Sequence, residues 1–146
     1  MKMEGSHTMP GSPAEIYALM MDPKVLADCI PGCQELVQEA EGVYAMKMKV
    51  ALAALSGDFS GKVAIEDPVP GEGYTMKVEG KGRLGFMNGG GQIRFSEEKP
   101  GETKIDFAGD VQIGGTMAAV GQRLIDTTAR MMIRRFFDKV GTHRRT

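Results

Sequence analysis

The two cysteines are the residues of this chain best suited to chemistry, because they lie close together around a Pro-Gly pair. Cys29 and Cys33 stand in the segment DCIPGC, and the chain has no other cysteine. A structural zinc ion usually takes four ligands, and neither His7, His143 nor the carboxylates stand in a recognised zinc pattern with them. A redox pair favours C-x-x-C spacing in a thioredoxin-like unit, and a cytosolic disulfide is disfavoured. The segment therefore predicts a chain reversal with two small, partly buried thiols and no metal.

A second short motif, GKGRLG at residues 80–85, matches the letters of a dinucleotide-binding fingerprint. That fingerprint follows a strand and opens a helix, whereas this segment lies within a strand pattern and continues into FMNGGG. Glycines inside strands more often mark bends or the close approach of another backbone. We interpret Gly80, Gly82 and Gly85 as residues that permit sheet curvature, and we predict no cofactor here.

A catalytic site is not indicated elsewhere. His7 is the only histidine before the C-terminal tail, and no serine or cysteine stands in a nucleophile motif. No pair of carboxylates has a spacing that implies acid and base roles. Isolated candidates such as Asp28, Arg83 and Arg94 are typical of solvated or ion-paired side chains. The sequence therefore predicts no catalytic residues.

The composition sets further limits. A chain of 146 residues is long enough to bury a core as one domain, and its net charge of -1 gives no bulk attraction for nucleic acid or anionic lipid. No stretch approaches the roughly 18 apolar residues of a membrane span, so we expect a cytoplasmic protein. The 12 methionines and 20 glycines, with no tryptophan, leave two alternatives open. Methionine suits a loosely packed apolar interior, or it replaces leucine in an ordinary core.

Alternation of apolar and polar residues in steps of two predicts strands through the middle of the chain. One strand begins at Gln34, and five more follow over residues 43–52, 57–66, 74–79, 92–96 and 103–113, joined by short turns. The inward positions of the first three of these five are Tyr44, Met46, Met48, Val50, Leu52, Phe59, Gly61, Val63, Ile65, Tyr74, Met76 and Val78. These strands predict an antiparallel meander.

The helices are predicted on both sides of this meander. After a first strand over residues 1–8, Ser12, Pro13 and Glu15 form a capping pattern for a helix over 13–21, and a second helix follows over 23–27. From residue 116 to about 140 the period becomes helical, with Gly141 as the expected C-cap. The apolar stripe of this long helix consists of Ala118, Gly121, Ile125, Ala129, Met132 and Phe136. A curved sheet with this helix on its concave face, an α+β fold, buries both apolar surfaces.

Three motifs together resemble the CoxG family, which is associated with carbon monoxide dehydrogenase. They are DPxxLxxCIPGC at residues 22–33, GxFxGxV at 57–63, and GGxxAxxGxRLI at 114–125 with a later Phe136-Phe137 pair. The resemblance covers nearly the whole chain, so it implies one domain over residues 1–146. It implies the START-like, helix-grip fold, with an apolar cavity between the sheet and the C-terminal helix. It also implies that DCIPGC lies at the cavity mouth without a metal.

The resemblance further implies an accessory role beside a molybdenum-containing carbon monoxide dehydrogenase or related hydroxylase, in membrane association or electron transfer to quinone. We expect a non-catalytic protein that binds a lipid or quinone, held in a void near the start of the long helix and the turn at residues 30–32. The predicted ligand-binding residues are Ile30, Pro31, Met46, Met48, Phe59, Met76, Ile93, Phe107, Ala118, Gly121 and Ile125. Two alternatives stay open: a cyclase or aromatase-like enzyme on the same fold, and a ligand-free adaptor.

The expected partners are this small molecule and a molybdenum hydroxylase complex, with transient membrane contact at the inner face and a homodimer as further alternatives. Nucleic acid is not expected. Some members of the family carry a C-terminal membrane-anchoring extension. None follows the long helix in this sequence, so the expectation is a soluble carrier.

Overall fold

The computed structural model describes residues 1–51 and 56–144. In this part of the chain, seven antiparallel strands form one sheet: β1 (Lys2–Pro10), β2 (Cys33–Ala40), β3 (Val43–Val50), β4 (Gly57–Val69), β5 (Gly73–Gly82), β6 (Gly85–Lys99) and β7 (Glu102–Gly114). Helices α1 (Pro13–Met20) and α2 (Pro23–Cys29) follow β1, and a 3₁₀ helix (Gly115–Val120) leads into α3 (Gln122–Thr142). The spatial order is β1-β7-β6-β5-β4-β3-β2, so β2 to β7 form a meander and β1 pairs with β7. The predicted α+β, helix-grip architecture is confirmed.

The predicted alternation along the strands is also confirmed, and the register brings the inward positions together on one inner face. Across neighbouring strands Met46 lies opposite Gly61, and Val63 lies opposite Val78. Lys47 and Lys49 are exposed on the outer face. Leu52, predicted to continue the inner face of β3, lies outside the described residues.

One end of the inner face is closed by a packed core. Ile16 of α1, Ile105 of β7 and Val140 of α3 are fully buried and belong to a single apolar cluster. The ring of Tyr17 meets the ring of Phe95 edge-on, with centroids 5.5 Å apart. Burying one such large side chain contributes about 1.5–3 kcal/mol relative to leaving it in water. This core therefore fixes α1 and the C-terminal half of α3 to the sheet.

The start of α1 has the predicted cap, with one difference. The Ser12 hydroxyl accepts a hydrogen bond from the Glu15 backbone N–H at 3.2 Å, and Pro13 occupies the first turn. The Glu15 carboxylate, however, accepts a hydrogen bond from Arg144 Nε at 2.9 Å. This glutamate therefore ties the chain end after α3 to α1, which a local capping pattern could not show.

The long helix differs from its prediction at both ends. It begins at Gln122, because Gly121 has a φ of 102° and interrupts the helical path after the 3₁₀ helix. At the other end, Gly141 lies inside α3, and His143 caps the helix instead. The predicted boundaries at residues 116 and 140 are thus wrong, and α2 extends to Cys29, two residues beyond its prediction.

The glycine motif at residues 80–85 is a hairpin. Gly80 and Gly82 belong to β5, Arg83 and Leu84 form a two-residue turn, and Gly85 begins β6 with a φ of 138°. The expectation that the motif lies inside one strand is wrong, because the chain reverses within it. A strand follows the motif, so the arrangement differs from the strand-to-helix turn of a dinucleotide site.

Gly82→Ala is expected to lower the free energy of unfolding by about 1–3 kcal/mol, since overpacking against backbone forces a strand to shift. A Cβ at Gly82 would lie 2.5 Å from the Asp58 carbonyl oxygen. Gly80→Ala is the matched control in the same strand, because its Cβ would meet nothing closer than Met87 Cγ at 3.6 Å. Urea unfolding followed by circular dichroism measures both variants. Equal destabilisation by the two substitutions would contradict the steric explanation.

Thr103→Val is expected to destabilise the protein by about 1–3 kcal/mol, the usual cost of leaving a buried acceptor without its donor. The fully buried Thr103 hydroxyl donates to the Gly11 carbonyl at 2.7 Å, which joins the start of β7 to the β1–α1 connection. Valine keeps the volume and removes only the donor. Thr8→Val, at an exposed position of β1, is the control and should change stability by less than about 0.5 kcal/mol. Thermal unfolding of both variants measures how much the Thr103 hydroxyl contributes to stability.

Candidate functional site

The inner face has a second half that the packed core does not reach, here called the open half. Its side chains are all apolar and partly exposed, and none belongs to the core cluster: Met48, Val50, Phe59, Val78, Met87, Val111 and Ile113. The core instead uses the opposite ends of the same strands, such as Tyr74 of β5 and Ile93 of β6. The sheet thus carries one closed half and one half whose apolar side chains still touch solvent.

Glycines occupy positions of the inner face within the open half and next to it. Gly61 pairs with Gly80 across β4 and β5, and Gly91 pairs with Gly109 across β6 and β7. These positions add no side chains to the space in front of the sheet. On α3 the residue four positions after the buried Ile125 is Ala129, which is also small. Small residues therefore stand both on the inner face of the sheet and on the first half of the helix.

The predicted ligand-binding residues fall into separate groups. Met48 and Phe59 lie on the open half, while Met46 and Ile125 are buried beside it. Met76, Ile93 and Phe107 belong to the closed core or pack against it. Ile30 and Pro31 lie in the turn between α2 and β2, where the Gly32 carbonyl accepts a hydrogen bond from the Lys49 N–H of β3, next to Met48.

Ala118 and Gly121 are not on the helical stripe where the sequence pattern placed them. Both are exposed in the connection before α3, and a Cβ at Gly121 would have no neighbour within 4 Å. The prediction that they belong to the long helix is wrong, because α3 begins only after them. The expected position of the turn at residues 30–32 is also wrong, since it adjoins Arg135 and Lys139 in the second half of α3 and not the start of the helix.

A recess of about 350 Å³, here called the turn recess, opens at this α2–β2 turn. The Asp22 carboxylate caps α2 by accepting from the Lys24 N–H at 2.9 Å, and Gly32, with a φ of 76°, allows the chain to turn sharply into β2. The chain reversal predicted for DCIPGC is therefore confirmed. Both thiols are free, with Cys29 buried and Cys33 partly buried. The turn recess is lined by Ala27, Asp28, Cys29, Ile30, Pro31, Gly32, Cys33, Arg135 and Lys139.

Asp28 stands at the centre of a polar cluster beside the turn recess. Its Oδ2 atom lies 2.6 Å from His143 Nε2, and its Oδ1 atom lies 3.6 Å from Lys139 Nζ. The hydrogen bond from His143 lowers the pKa of the Asp28 carboxyl, and the Lys139 charge adds to this effect. Burial, assisted by the Asp28 charge, raises the pKa of the neighbouring Cys29 thiol to about 11. Cys29 is therefore a neutral thiol at pH 7 in this arrangement, not an activated nucleophile.

A second recess, of about 450 Å³, lies on the outer face of the sheet. Its walls come from outward positions of β2 to β6, including Lys47, Lys62 and Lys81, and Phe86 is 48% exposed at its edge. Sequence reasoning missed it because these alternating positions were expected to be solvated. The exposed Val37 and Phe86, which both line this recess, depart from that expectation.

Helix α3 is amphipathic, as predicted. Arg123, Arg130 and Arg134 are exposed on its outer side, and Arg130 Nε donates to the Asp126 carboxylate at 2.9 Å. Among residues 1–51 and 56–144, no helix combines the length and the apolar character needed to span a bilayer.

The curved antiparallel sheet and its C-terminal helix define a START-like fold. A START superfamily protein from Mycobacterium smegmatis matches with a TM-score of 0.74 and 9% identity, over 97% of this chain and 95% of that chain. The ZhuI aromatase/cyclase from Streptomyces sp. R1128 matches with a TM-score of 0.69 and 12% identity, over 98% and 92%. At these identities the likeness shows the fold alone.

Within this fold class the chain belongs to the carbon monoxide dehydrogenase CoxG family, whose model matches residues 5–143. A conserved protein from Geobacillus kaustophilus is similar over 98% of this chain and 94% of its own, with a TM-score of 0.95 and 29% identity. No curated protein sequence matches. The family predicted from the three motifs is confirmed, and it is a family of accessory subunits.

The two thiols are expected to react at different rates. Cys33 should be alkylated by iodoacetamide at least about tenfold faster than Cys29, because Cys29 is only 2% exposed and its pKa is raised to about 11. Peptide mass spectrometry during a time course at pH 8 measures both rates. In concentrated urea the rates should converge, which controls for intrinsic peptide reactivity. Faster modification of Cys29 in the folded protein would contradict this ranking.

Proposed function

We propose that the chain, acting as one START-like domain, binds the apolar tail of a lipid or quinone without catalysing a reaction. The binding surface is the open half of the inner face together with the first half of α3. The observation that supports this proposal is the row of partly exposed apolar side chains, including Met48, Phe59 and Met87, that the core cluster leaves unpacked. A folded protein gains little stability from apolar surface that still touches water, so such a face has a use in binding.

The residue types on the open half suit a long, flexible ligand. Methionine is unbranched and polarizable, so Met48 and Met87 can repack around tails of different shape. Each buried CH₂ group contributes about 0.8 kcal/mol before the costs of ordering the ligand. A prenyl or acyl tail can therefore be held by shape and area, with few polar contacts.

Two polar groups of the inner face, His7 and Thr103, favour binding over a cyclase-like reaction. The His7 ring stacks on Phe137, with ring centroids 4.9 Å apart. The Thr103 hydroxyl is engaged by the Gly11 carbonyl. Both groups are thus used in packing the closed half, whereas an enzyme needs an acid or base directed at its substrate.

Family membership supports the proposed accessory role. CoxG is named as a component of carbon monoxide dehydrogenase, so we propose that this chain serves that enzyme or a related molybdenum hydroxylase. A bound quinone or lipid tail would connect such a cytoplasmic enzyme with the inner face of the membrane, where these molecules reside. The tail then provides either attachment or a route for electrons to quinone.

Ala129→Phe is expected to reduce uptake of a menaquinone or fatty-acid analogue at least about tenfold, because the ring would occupy the space in front of the glycines of the inner face. Ala118→Phe is the matched control: the substitution is the same, but residue 118 is exposed before α3 and should leave uptake unchanged. Binding is measured by fluorescence or by native mass spectrometry, with circular dichroism to verify folding.

The results separate the carrier from the ligand-free adaptor. Equal binding by both folded variants would mean that the ligand lies elsewhere. If the wild-type chain binds none of these analogues, the carrier proposal fails, and the ligand-free adaptor takes its place.

A further inference from the structure

Two elements bring three different metal-ligating side chains together beside the turn recess. Asp28 and Cys29 stand at the end of α2, and His143 is the cap residue directly after α3. One oxygen, one sulfur and one nitrogen atom from these residues all lie within 4.8 Å of one another. We propose that Asp28, Cys29 and His143 form a site for a zinc-type divalent cation.

The donor set matches the chemistry of zinc. Zinc accepts carboxylate oxygen, thiolate sulfur and imidazole nitrogen, and sites with three protein ligands keep a fourth position for water or another molecule. Bond lengths of about 2.0 Å to nitrogen and oxygen place those two atoms about 3.3 Å apart in a tetrahedral complex. Asp28 Oδ2 and His143 Nε2 are now 2.6 Å apart, so a small rotation of either side chain opens the site.

The charges balance when the cation binds. The Asp28 carboxylate and the Cys29 thiolate carry two negative charges, His143 is neutral, and the cation carries two positive charges. The proton of the Cys29 thiol leaves to solvent as the metal–sulfur bond forms. A neutral assembly suits a sulfur atom in a side chain that is only 2% exposed, because an isolated charge there would be costly.

Lys139 competes with a cation for the Asp28 carboxylate. Its ammonium lies 3.6 Å from Asp28 Oδ1, and Arg135 stands one turn earlier on α3 and also lines the turn recess. A metal must displace the Lys139 ammonium from Asp28. Lys139 therefore weakens metal binding but does not prevent it. Replacing Lys139 should strengthen metal binding, whereas replacing a metal ligand should weaken it.

Access is provided by the turn recess, since Asp28 and Cys29 both line it. The fourth coordination position would face this space of about 350 Å³, where a water molecule or a small anion can enter. Arg135 and Lys139 at its border favour an anionic fourth ligand.

The test uses the full chain, reduced and freed of metal with a chelator, titrated with Co²⁺ and then with Zn²⁺. The wild type should show a thiolate-to-cobalt charge-transfer band that saturates at one equivalent and disappears when Zn²⁺ is added. Cys33→Ser is the matched control, because Cys33 does not belong to the cluster, and it should keep the band. Cys29→Ser should lose the band. His143→Gln should weaken binding at least about tenfold, since even an indirect partner of a metal ligand matters that much.

Lys139→Gln should tighten Co²⁺ binding several-fold by freeing Asp28. Circular dichroism checks the fold of every variant. If Cys29→Ser does not fold, the metal binding of His143→Gln tests the proposal instead, because His143 is more exposed than Cys29. The proposal is overturned if the wild type shows no charge-transfer band. It is equally overturned if folded Cys29→Ser or His143→Gln binds Co²⁺ as the wild type does, or if Cys33→Ser alone abolishes the band.

Discussion

The packing of the last turns of α3 against α1 and β7 is the contact on which the rest of the molecule depends. Ile16, Ile105 and Val140 are completely buried there and join three elements that are far apart in the chain. This contact decides which half of the sheet the helix closes. It also brings the residues after α3 next to α1 and α2, which places Arg144 on Glu15 and His143 on Asp28. Both the open half and the polar cluster are therefore consequences of one apolar cluster.

The two halves of the inner face use different residue types for a physical reason. The closed half interlocks aromatic rings such as Tyr17 and Phe95, whose fixed shapes specify one arrangement. The open half uses glycine and methionine, which leave space and adapt to what fills it. The two explanations of the methionine-rich composition both hold in part. Met9 and Met20 belong to an ordinary core, whereas Met48 and Met87 lie on the partly exposed face.

The sequence predicted the features that depend on local periodicity and missed those that depend on distant contacts. Alternation identified the strands and their inner face, because the two-residue period of a strand does not depend on which strands pair. The predicted start of the long helix was wrong, since the pattern of apolar residues does not reveal that Gly121 has a positive φ. Asp28 and His143 are 115 positions apart, so no spacing rule could join them to Cys29. The family motifs identified the fold correctly, whereas the helical period assigned Ala118 and Gly121 to a helix that begins after both.

The two ends of α3 are held in different ways, and this bears on how a ligand could reach the open half. At its C-terminal end, the Arg144–Glu15 ion pair and the His143–Asp28 hydrogen bond orient the helix, although such exposed contacts add little to stability. The buried Val140 supplies the larger share of the attachment there. At the other end, Gly121 provides no side-chain cap, and exposed residues such as Gln122 and Leu124 follow it. Segments with few buried contacts open at the lowest free energy. The first turns of α3 are therefore expected to open at a lower free energy than any segment of the closed core.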